Sequence, residues 1–359
     1  NFIQILQHFI FLTFLFKYLC PNMEKLRDIN KMVEMVHDAN RIFISTHKSP
    51  DGDAIGSSLA LKQGLEKLGK TVTVVVPDAF PAFLNWMVNK GDLLQFDQQS
   101  EEVKLALQEA ELVFSLDYNT LSRVGKDLEQ LLRTDETPKL IIDHHREPED
   151  AAFVAGLHDI EASSTAQLVY DFIQAFDEAG LIDKRTAACI YAGIVTDTGS
   201  FRFRSTTAKT HRVVADLMDL GLVTGEVYNE IFDTNSLDRI KLLGYVLDKK
   251  LTVFPELELA HISLSEKELN QFNYKSGDTE GVVNYPLSIK GVNVSCIMKE
   301  NGGIIRMSFR SKGDIDVNLF ARKYFNGGGH LNAAGGMSEL SLEETVTKFE
   351  AAAKEYFGA

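Results

Sequence analysis

The chain has 359 residues, of which 51 are acidic and 37 are Lys or Arg, so its formal net charge is −14 at pH 7. Hydrophobic residues make up 45% and charged residues 25%, which excludes a disordered chain, a collagen and a disulfide-stapled miniprotein. The length suits two domains with buried cores. The acidic balance argues against a protein that coats long nucleic acid, but it permits a small phosphate substrate at a locally basic site.

The cysteines and the first residues bear on the cellular compartment. Cys20, Cys189 and Cys296 are far apart and form no CxxC pair, which excludes a disulfide framework and a thiolate zinc site and favours the cytosol. Residues 1–22 are apolar but interrupted by polar side chains, and they lack the features of a membrane helix or a signal peptide. Because a convincing helical pattern begins only at Met23, we interpret residues 1–22 as upstream translation or a non-native segment in preference to the alternative, a membrane anchor.

From Met23 the sequence alternates between helical and strand patterns. The predicted strands are short, apolar and mostly β-branched, at 41–45, 71–76, 111–117 and 139–143. The predicted helices lie at 23–39, 53–68, 164–179, 184–197, 207–220 and 236–249. This alternation predicts an α/β fold with a doubly wound parallel sheet.

After about residue 250 the pattern changes to short strands at hairpin-like spacing. The predicted strands are at 251–254, 257–264, 286–291, 292–298 and 302–311, and two helices follow near 316–325 and 341–357. We therefore predict a catalytic domain at 23–235, a linker helix at 236–249 and a smaller α+β domain at 250–359.

Acidic and imidazole residues follow three of the predicted strands directly, and one more ends a predicted helix. They are His47, Asp51, Asp53, Asp117, Asp143, His144, His145 and Asp197. Ligands of an open parallel sheet gather at the carboxyl ends of its strands, so these loops are expected to converge on one crevice. Carboxylates packed this closely repel one another unless cations neutralise them. Oxygen ligands with one or two imidazoles suit Mn²⁺ or Mg²⁺, and the surplus of carboxylates predicts two ions.

Each of these motifs also has a structural interpretation. Asp51 or Asp53 could cap a helix, and a single strand-final residue such as Asp117 is more often a cap than a ligand. The paired imidazoles of His144 and His145 are harder to explain as core residues, because burying both requires hydrogen-bond partners. The four segments taken together favour the metal site.

The C-terminal domain carries a second group of candidate residues. Strand alternation places Arg306, Ser308 and Arg310 on one face. The glycines before His330 let the backbone approach a ligand, and a helix beginning near His330 is expected to offer amides to an anion. The stretch could also be a flexible turn, and it is not a Walker loop. Residues 281–336 hold seven basic and three acidic side chains, which makes this segment locally positive.

In combination these motifs resemble the DHH phosphoesterase family. The HxxPDxD motif at 47–53, Asp117, the DHH motif at 143–145 and Asp197 stand in the family's order, and the GGGH motif at 327–330 resembles its DHHA1 domain. The resemblance extends from Met23 to the C-terminus and is strongest to the nano-RNases, oligoribonucleases that also dephosphorylate 3′-phosphoadenosine 5′-phosphate. It implies an N-terminal parallel-sheet DHH domain, a C-terminal α+β DHHA1 domain and an active site in the interdomain cleft.

The resemblance also implies a role for each motif residue. One metal ion would be held by His47, Asp51 and Asp117, and the other by Asp53, Asp117, His144 and Asp197, with Asp117 bridging. The implied catalytic residues are Asp117, His144 and His145. The implied substrate-binding residues are His145, Arg310, Gly328, Gly329 and His330. Asp143 is expected to orient a histidine.

The expected function is hydrolysis of short oligoribonucleotides or dinucleotides to mononucleotides and of 3′-phosphoadenosine 5′-phosphate to AMP. Two divalent ions are the expected cofactors, with Mn²⁺ preferred over Mg²⁺. The expected partners are short RNA oligonucleotides or small nucleotides as substrate, with no long nucleic acid and no membrane, and a homodimer is left open. The alternatives are a cyclic- or linear-dinucleotide phosphodiesterase of signalling, an inorganic pyrophosphatase and a non-catalytic nucleotide sensor.

Overall fold

The structure, a computed structural model, describes residues 26–275 and 277–358. The chain folds as two compact units, of which the first ends at Asp233 and the second begins at Thr234. The interpretation of residues 1–22 lies outside the described residues. Among the helices of the described ranges, none combines the length and apolar character needed to span a bilayer.

The first unit is built on a six-stranded sheet in which every neighbouring pair of strands is parallel. Its strands are β1 (Arg41–Thr46), β2 (Thr71–Val76), β3 (Leu93–Gln95), β4 (Leu112–Leu116), β5 (Lys139–Asp143) and β6 (Ala155–His158). The spatial order is β3-β2-β1-β4-β5-β6. Strands β2 and β3 therefore lie on one side of β1, and β4, β5 and β6 follow on its other side. This is the predicted doubly wound sheet, and that prediction is confirmed.

Helices cover the sheet of the first unit. They are α1 (Ile29–Asp38), α2 (Gly52–Lys67), α3 (Ser100–Glu109), α4 (Lys126–Thr134), α5 (Thr165–Gln174), α6 (Lys184–Asp197), α7 (Ala208–Asp219) and α8 (Thr224–Phe232). Helix α1 begins at Ile29, because the Asp28 side chain caps it by accepting a hydrogen bond from the backbone amide of Lys31 at 3.0 Å. Residues 26–28 are therefore not helical, in contrast to the prediction, and the predicted start at Met23 lies outside the described residues.

The central strands of the first unit are buried on both faces, which explains their continuous apolar sequences. Along β1, Ile42 and Ile44 pack into one apolar cluster with α2, while Phe43 between them packs into the cluster on the opposite face. Strand β5 alternates in the same way, with Ile141 on the side of Phe43. Two apolar layers therefore fix the sheet and hold the ends of its strands in place.

The second unit contains a mixed six-stranded sheet in the order β11-β12-β10-β9-β8-β7. Its strands are β7 (Leu251–Phe254), β8 (Leu259–Leu264), β9 (Val294–Asn301), β10 (Ile304–Ser311), β11 (Gly328–His330) and β12 (Ala333–Ser338). Its helices are α9 (Leu237–Tyr245), α10 (Glu266–Asn270), α11 (Val317–Phe325) and α12 (Leu342–Phe357). Only β8 and β9 are parallel, and the other pairs are antiparallel, so the predicted α+β organisation is confirmed.

Two predictions in the second unit are wrong. The segment predicted as a strand at 286–291 lies partly in a 3₁₀ helix, Val282–Ser288, which contains Pro286. Proline has no amide hydrogen to donate to a neighbouring strand, so this segment does not pair in the sheet. No helix begins near His330, because Gly328–His330 forms strand β11 and pairs antiparallel with β12.

The segment predicted as a linker helix, 236–249, is observed as α9 followed by one π-helical turn, Val246–Lys250. Leu242 and Val246 are buried in an apolar cluster with Ile262 and Ile297 of the second sheet. The helix thus packs as part of the second unit.

Candidate metal centre

The candidate site of the first unit lies where the strand order of its sheet reverses. Strands β1 and β4 are hydrogen-bonded neighbours, yet the connections that follow them lead to opposite sides of the sheet. Such a switch point opens a crevice at the carboxyl ends of the two strands. His47 directly follows β1, and Asp117 directly follows β4, so both enter this crevice.

His47 and Asp51 form the first part of the site. His47 Nε2 lies 3.3 Å from Asp117 Oδ2 and 3.8 Å from Asp51 Oδ2. Asp51 is also the N-cap of α2, because its Oδ1 accepts hydrogen bonds from the amides of Asp53 and Ala54 at 3.0 and 3.1 Å. The helix-cap interpretation and the ligand interpretation of Asp51 are therefore compatible, since they use different oxygens.

Asp117 occupies the centre of the site. It is 2% exposed and has a left-handed backbone conformation, with φ of 63°, that is unusual for a residue other than glycine. Its Oδ2 faces His47, whereas its Oδ1 lies 3.7 Å from His144 Nε2. Asp117 thus presents one oxygen to each half of the site, and the strained turn that directs it inward is the kind found at functional positions.

Asp53, His144 and Asp197 complete the other half of the site. Asp53 is 1% exposed, and its two oxygens accept hydrogen bonds from the amides of Thr165 and Ala166 at 2.6 and 2.8 Å. His144 Nε2 lies 3.4 Å from Asp197 Oδ2 and 4.0 Å from Asp53 Oδ2. Asp197 is the last residue of α6, where the prediction placed it.

The two histidines have the orientation that metal ligands require. His47 Nδ1 contacts the carbonyl of Lys48 at 3.0 Å, and His144 Nδ1 contacts the carbonyl of Ala162 at 3.2 Å. A carbonyl can only accept, so Nδ1 carries the proton in both rings and Nε2 faces the carboxylates. Donation from the remote ring nitrogen to a backbone carbonyl is the usual support of a metal-bound histidine. Ligand atoms of His47, Asp51 and Asp117, and likewise of Asp53, Asp117 and His144, lie within 4.8 Å of one another.

The pKa values show that these groups perturb one another strongly. Burial works against a charged His47, but its hydrogen bond to Asp117 and the negative charges of Asp51 and Asp117 raise its pKa to about 9. Burial, together with the charges of Asp117, Asp197 and Asp51, raises the pKa of Asp53 well above its usual range. Burial and the same kind of repulsion, only partly offset by His144, raise the pKa of Asp197 to about 6. Carboxylates that resist ionisation in this way fit a site for divalent cations.

Close packing between helices brings these side chains together. A Cβ at Gly193 of α6 would lie 2.5 Å from Ala166 Cβ and 2.7 Å from Asp53 Oδ1. A Cβ at Gly52 of α2 would lie 2.4 Å from Thr196 Oγ1. Real side chains do not approach this closely, so glycine at these positions lets α6 approach α2 and α5 near the site.

His145 is held by a network of its own. Its Nδ1 lies 2.7 Å from Asp143 Oδ1, and its amide donates to Asp143 Oδ2 at 3.1 Å. His158 Nε2 donates to the carbonyl of His145 at 2.6 Å. The prediction that Asp143 orients a histidine is confirmed for His145. The ring nitrogen opposite Nδ1, which is Nε2, points away from Asp143.

The second unit brings Arg310 and His330 into one row of its sheet. Arg310 of β10 and His330 of β11 are both paired with Ala333 of β12, one on each side. Residues in one row share a face, so Arg310 and His330 project from the same side, with their Cα atoms about 10 Å apart.

The glycines before His330 make contacts within the second unit, and their part in substrate binding stays a prediction. The amide of Gly329 donates to Asn318 Oδ1 at 2.9 Å, so this amide is used within the unit rather than offered to an anion. A Cβ at Gly329 would lie 2.4 Å from the carbonyl oxygen of Ala333, which makes glycine necessary there. Gly328 pairs with Gly335 two rows away from His330, so Gly328 and His330 lie on the same face of the sheet.

Some residues of the site escaped the sequence analysis. Thr165 contacts both Asp53 and Asp117, the latter through a hydrogen bond of 3.0 Å from its hydroxyl. Gly193 and Asn318 were also not identified. The only signal for Thr165 is that it follows Ser164, which caps α5 by accepting from the amide of Gln167. A capping serine marks the start of a helix but does not show what that helix faces.

Comparisons with known proteins cover both units. Residues 41–194 match the DHH family, N-terminal domain, and residues 259–359 match the DHHA1 domain. The chain is 31% identical over 337 residues to the bifunctional oligoribonuclease and PAP phosphatase NrnA of Thermus thermophilus, an alignment that covers 92% of this chain and 94% of the relative.

Two further relatives differ in their described roles. The chain is 27% identical over 339 residues to the cyclic-di-AMP phosphodiesterase GdpP of Geobacillus thermodenitrificans, covering 90% of this chain but 49% of that protein. The crystal structure of an exopolyphosphatase-related protein from Bacteroides fragilis superposes with a TM-score of 0.87 and 39% identity, covering 92% of this chain and 96% of that one.

Proposed function

The chain belongs to the DHH family and is a hydrolase of phosphoester bonds, and from this premise we propose that it hydrolyses short oligoribonucleotides and dinucleotides to mononucleotides. We also propose that it converts 3′-phosphoadenosine 5′-phosphate to AMP. The observation that carries the proposal is Asp117, whose two carboxylate oxygens face two different groups of metal-ligand atoms in one crevice. The relative that matches nearly full-length carries both activities in its name.

The proposed cofactors are two divalent ions, with Mn²⁺ preferred because histidine belongs to each ligand set. His47, Asp51 and Asp117 would hold one ion. Asp53, Asp117, His144 and Asp197 would hold the other. When bound, the two ions would lower the pKa of a water molecule and offset negative charge on the phosphate oxygens. The Nδ1 contacts with backbone carbonyls hold His47 and His144 so that each directs Nε2 at the carboxylates.

The remaining predicted residues would bind the substrate. Asp143 fixes the ring of His145, and Nε2 of His145 is the atom proposed to donate a hydrogen bond to a phosphate oxygen. In the second unit, Arg310 and His330 are proposed to bind the phosphate or nucleotide of the substrate from one row of the sheet. A guanidinium matches the geometry of a phosphate, so Arg310 would supply charge and orientation together.

A second candidate function is hydrolysis of a cyclic or linear dinucleotide in signalling. It is favoured by the similarity to a cyclic-di-AMP phosphodiesterase over 90% of this chain. That relative is about twice as long, since the alignment covers 49% of it, whereas the oligoribonuclease relative is matched over 94% of its length. The identity to the oligoribonuclease relative is higher, 31% against 27%, which makes the oligoribonuclease function the better supported proposal.

The experiment is a direct comparison of substrates with purified protein and Mn²⁺. A diribonucleotide, 3′-phosphoadenosine 5′-phosphate, cyclic di-AMP and pyrophosphate are each incubated at equal concentration, and the products are separated by chromatography. We expect turnover of the first two, and loss of that turnover in Asp117→Ala, because this change removes the residue shared by both ligand groups.

The proposal is wrong if neither of the first two substrates is hydrolysed while pyrophosphate is cleaved rapidly. Faster turnover of cyclic di-AMP than of the diribonucleotide would support the second candidate function. Retained activity in Asp117→Ala would contradict the proposed role of the metal centre, because Asp117 belongs to both proposed ligand groups.

A further inference from the structure

We propose that Thr165 is a positioning residue of the metal centre, which holds the carboxylates of Asp53 and Asp117 in the arrangement that both ions need. This inference rests on the proposed function, because it concerns the same centre. Thr165 is not among the predicted ligands, and its contribution is to the orientation of two of them.

Thr165 reaches the two carboxylates through different atoms. Its backbone amide donates to Asp53 Oδ2 at 2.6 Å, and its hydroxyl donates to Asp117 Oδ1 at 3.0 Å. The residue is completely buried at the first position of α5. Asp53 lies in α2 and Asp117 directly follows β4, so Thr165 connects carboxylates from two different elements.

The hydroxyl of Thr165 distinguishes the two oxygens of Asp117. Oδ2 lies 3.3 Å from His47 Nε2, and Oδ1 lies 3.0 Å from Thr165 Oγ1 and 3.7 Å from His144 Nε2. A carboxylate rotates readily about its Cβ–Cγ bond because this torsion has only a broad preference. The hydrogen bond from Thr165 restrains that rotation, so that one oxygen is presented to each half of the centre.

The packing of the core alone does not account for a hydroxyl at this position. Valine has nearly the same shape as threonine and would fill the same buried volume without a polar group to satisfy. A hydroxyl that donates to an ionised carboxylate forms a charge-assisted hydrogen bond, which is stronger than one between neutral groups. Outer partners of this kind change metal affinity by about 10–100-fold when they are removed.

The test compares three variants in a metal titration without substrate. Thr165→Val removes the hydroxyl but keeps the shape and the amide, and Thr165→Ser keeps the hydroxyl. The matched control is Thr186→Val, because Thr186 is also fully buried near the start of a helix and its hydroxyl donates to a carboxylate, that of Asp183, at 3.1 Å. Thermal unfolding of metal-stripped protein is followed by the fluorescence of Trp86, the single tryptophan, at increasing Mn²⁺.

We expect the Mn²⁺ concentration for half-maximal thermal stabilisation to rise at least about tenfold in Thr165→Val. This Mn²⁺ concentration should lie within about threefold of the wild-type value in Thr165→Ser and should equal the wild-type value in Thr186→Val. At saturating Mn²⁺ the KM for substrate should not change, because Thr165 lies behind the carboxylates. Equal metal responses of Thr165→Val and Thr186→Val would overturn the inference.

The same titration separates this inference from the proposed function. If the wild type is stabilised by Mn²⁺ but hydrolyses neither the diribonucleotide nor 3′-phosphoadenosine 5′-phosphate, the proposed function fails while the role of Thr165 is still decided by its variants. If Mn²⁺ does not stabilise the wild type at all, both proposals are wrong.

Discussion

Replacement of Asp197 by asparagine should stabilise the metal-free protein although it weakens the metal centre. Asp197 ends α6, where the helix dipole disfavours a negative charge, and its carboxylate lies near other acidic groups. Burial and the charges of Asp117 and Asp51 raise its pKa to about 6, against only partial compensation by His144. Asparagine has the same shape but no charge, so the substitution removes the cost of ionising this group.

The magnitude and its pH dependence follow from the shift in pKa. A rise in the pKa of Asp197 from 3.8 to about 6 means that ionising this carboxylate lowers the free energy of unfolding by about 3 kcal/mol. This energy is an upper bound. The pKa of Asp197 is higher in the folded than in the unfolded state. The loss of stability that ionised Asp197 causes is therefore absent below about pH 4 and complete above about pH 6. The advantage of Asp197→Asn should therefore be largest above neutral pH and shrink as the pH falls through this window.

The assay is urea unfolding of EDTA-treated wild type and Asp197→Asn, followed by the fluorescence of Trp86. Trp86 packs against the apolar core of the first unit, so its signal reports on the unit that contains the centre. We expect the variant to unfold at higher urea near pH 8, with about half of that advantage left near pH 5. Saturating Mn²⁺ should reverse the order, because the wild type binds the ion more tightly and is stabilised by mass action.

Two results would refute this reasoning. If Asp197→Asn is less stable than the wild type near pH 8 in EDTA, the carboxylate does not carry the electrostatic cost that its surroundings imply. If the variant gains the same stability near pH 5 and near pH 8, the gain does not come from ionisation. Either result would remove the argument that the carboxylates of this site require cations.

The other predictions concern substrate binding and helix packing. Arg310→Ala should raise the KM for a diribonucleotide by about 10–100-fold with a smaller change in kcat, because the substrate loses a charge-assisted contact away from its reacting atoms. An unchanged KM in steady-state assays would contradict this prediction. Gly193→Ala should cost about 1–3 kcal/mol and weaken stabilisation by Mn²⁺, because the new Cβ would meet Ala166 and Asp53. Its control is Gly225→Ala, where no atom lies within 4 Å of the added Cβ, and equal unfolding free energies for the two variants would contradict the packing argument.

The sequence predicted the centre well where residues follow a strand directly. Asp117 and His144 come after buried apolar runs, and parallel strands bring their carboxyl ends to one edge, so their convergence follows from the fold class. The alternating sequence around Arg306 and Arg310 predicted equally well that both side chains lie on one face, because a strand has only two faces. The burial of residues along β10 alternates as predicted.

Residues that act through helix packing could not be predicted in the same way. Thr165 donates to Asp53 from 112 positions along the chain, and nothing local in its segment indicates that contact. Gly193 reads as an ordinary glycine in a helical pattern until the position of α2 is known. The prediction of a helix near His330 was wrong because consecutive glycines are compatible with several backbone conformations, and strand β12 decides between them through pairing.

The arrangement of the first unit links its stability to the cations that we propose to bind there. Gly193 lets α6 approach Asp53, and the amides at the start of α5 fix that carboxylate in a buried position. The same packing brings Asp117 and Asp197 close enough to raise the pKa of Asp53, so tighter packing increases the repulsion between these groups. Protonation relieves this repulsion as the pH falls, and bound cations would relieve it near neutral pH. We expect a centre built in this way to exchange protons for metal ions on binding them, with an affinity that depends on how firmly the helices hold the carboxylates together.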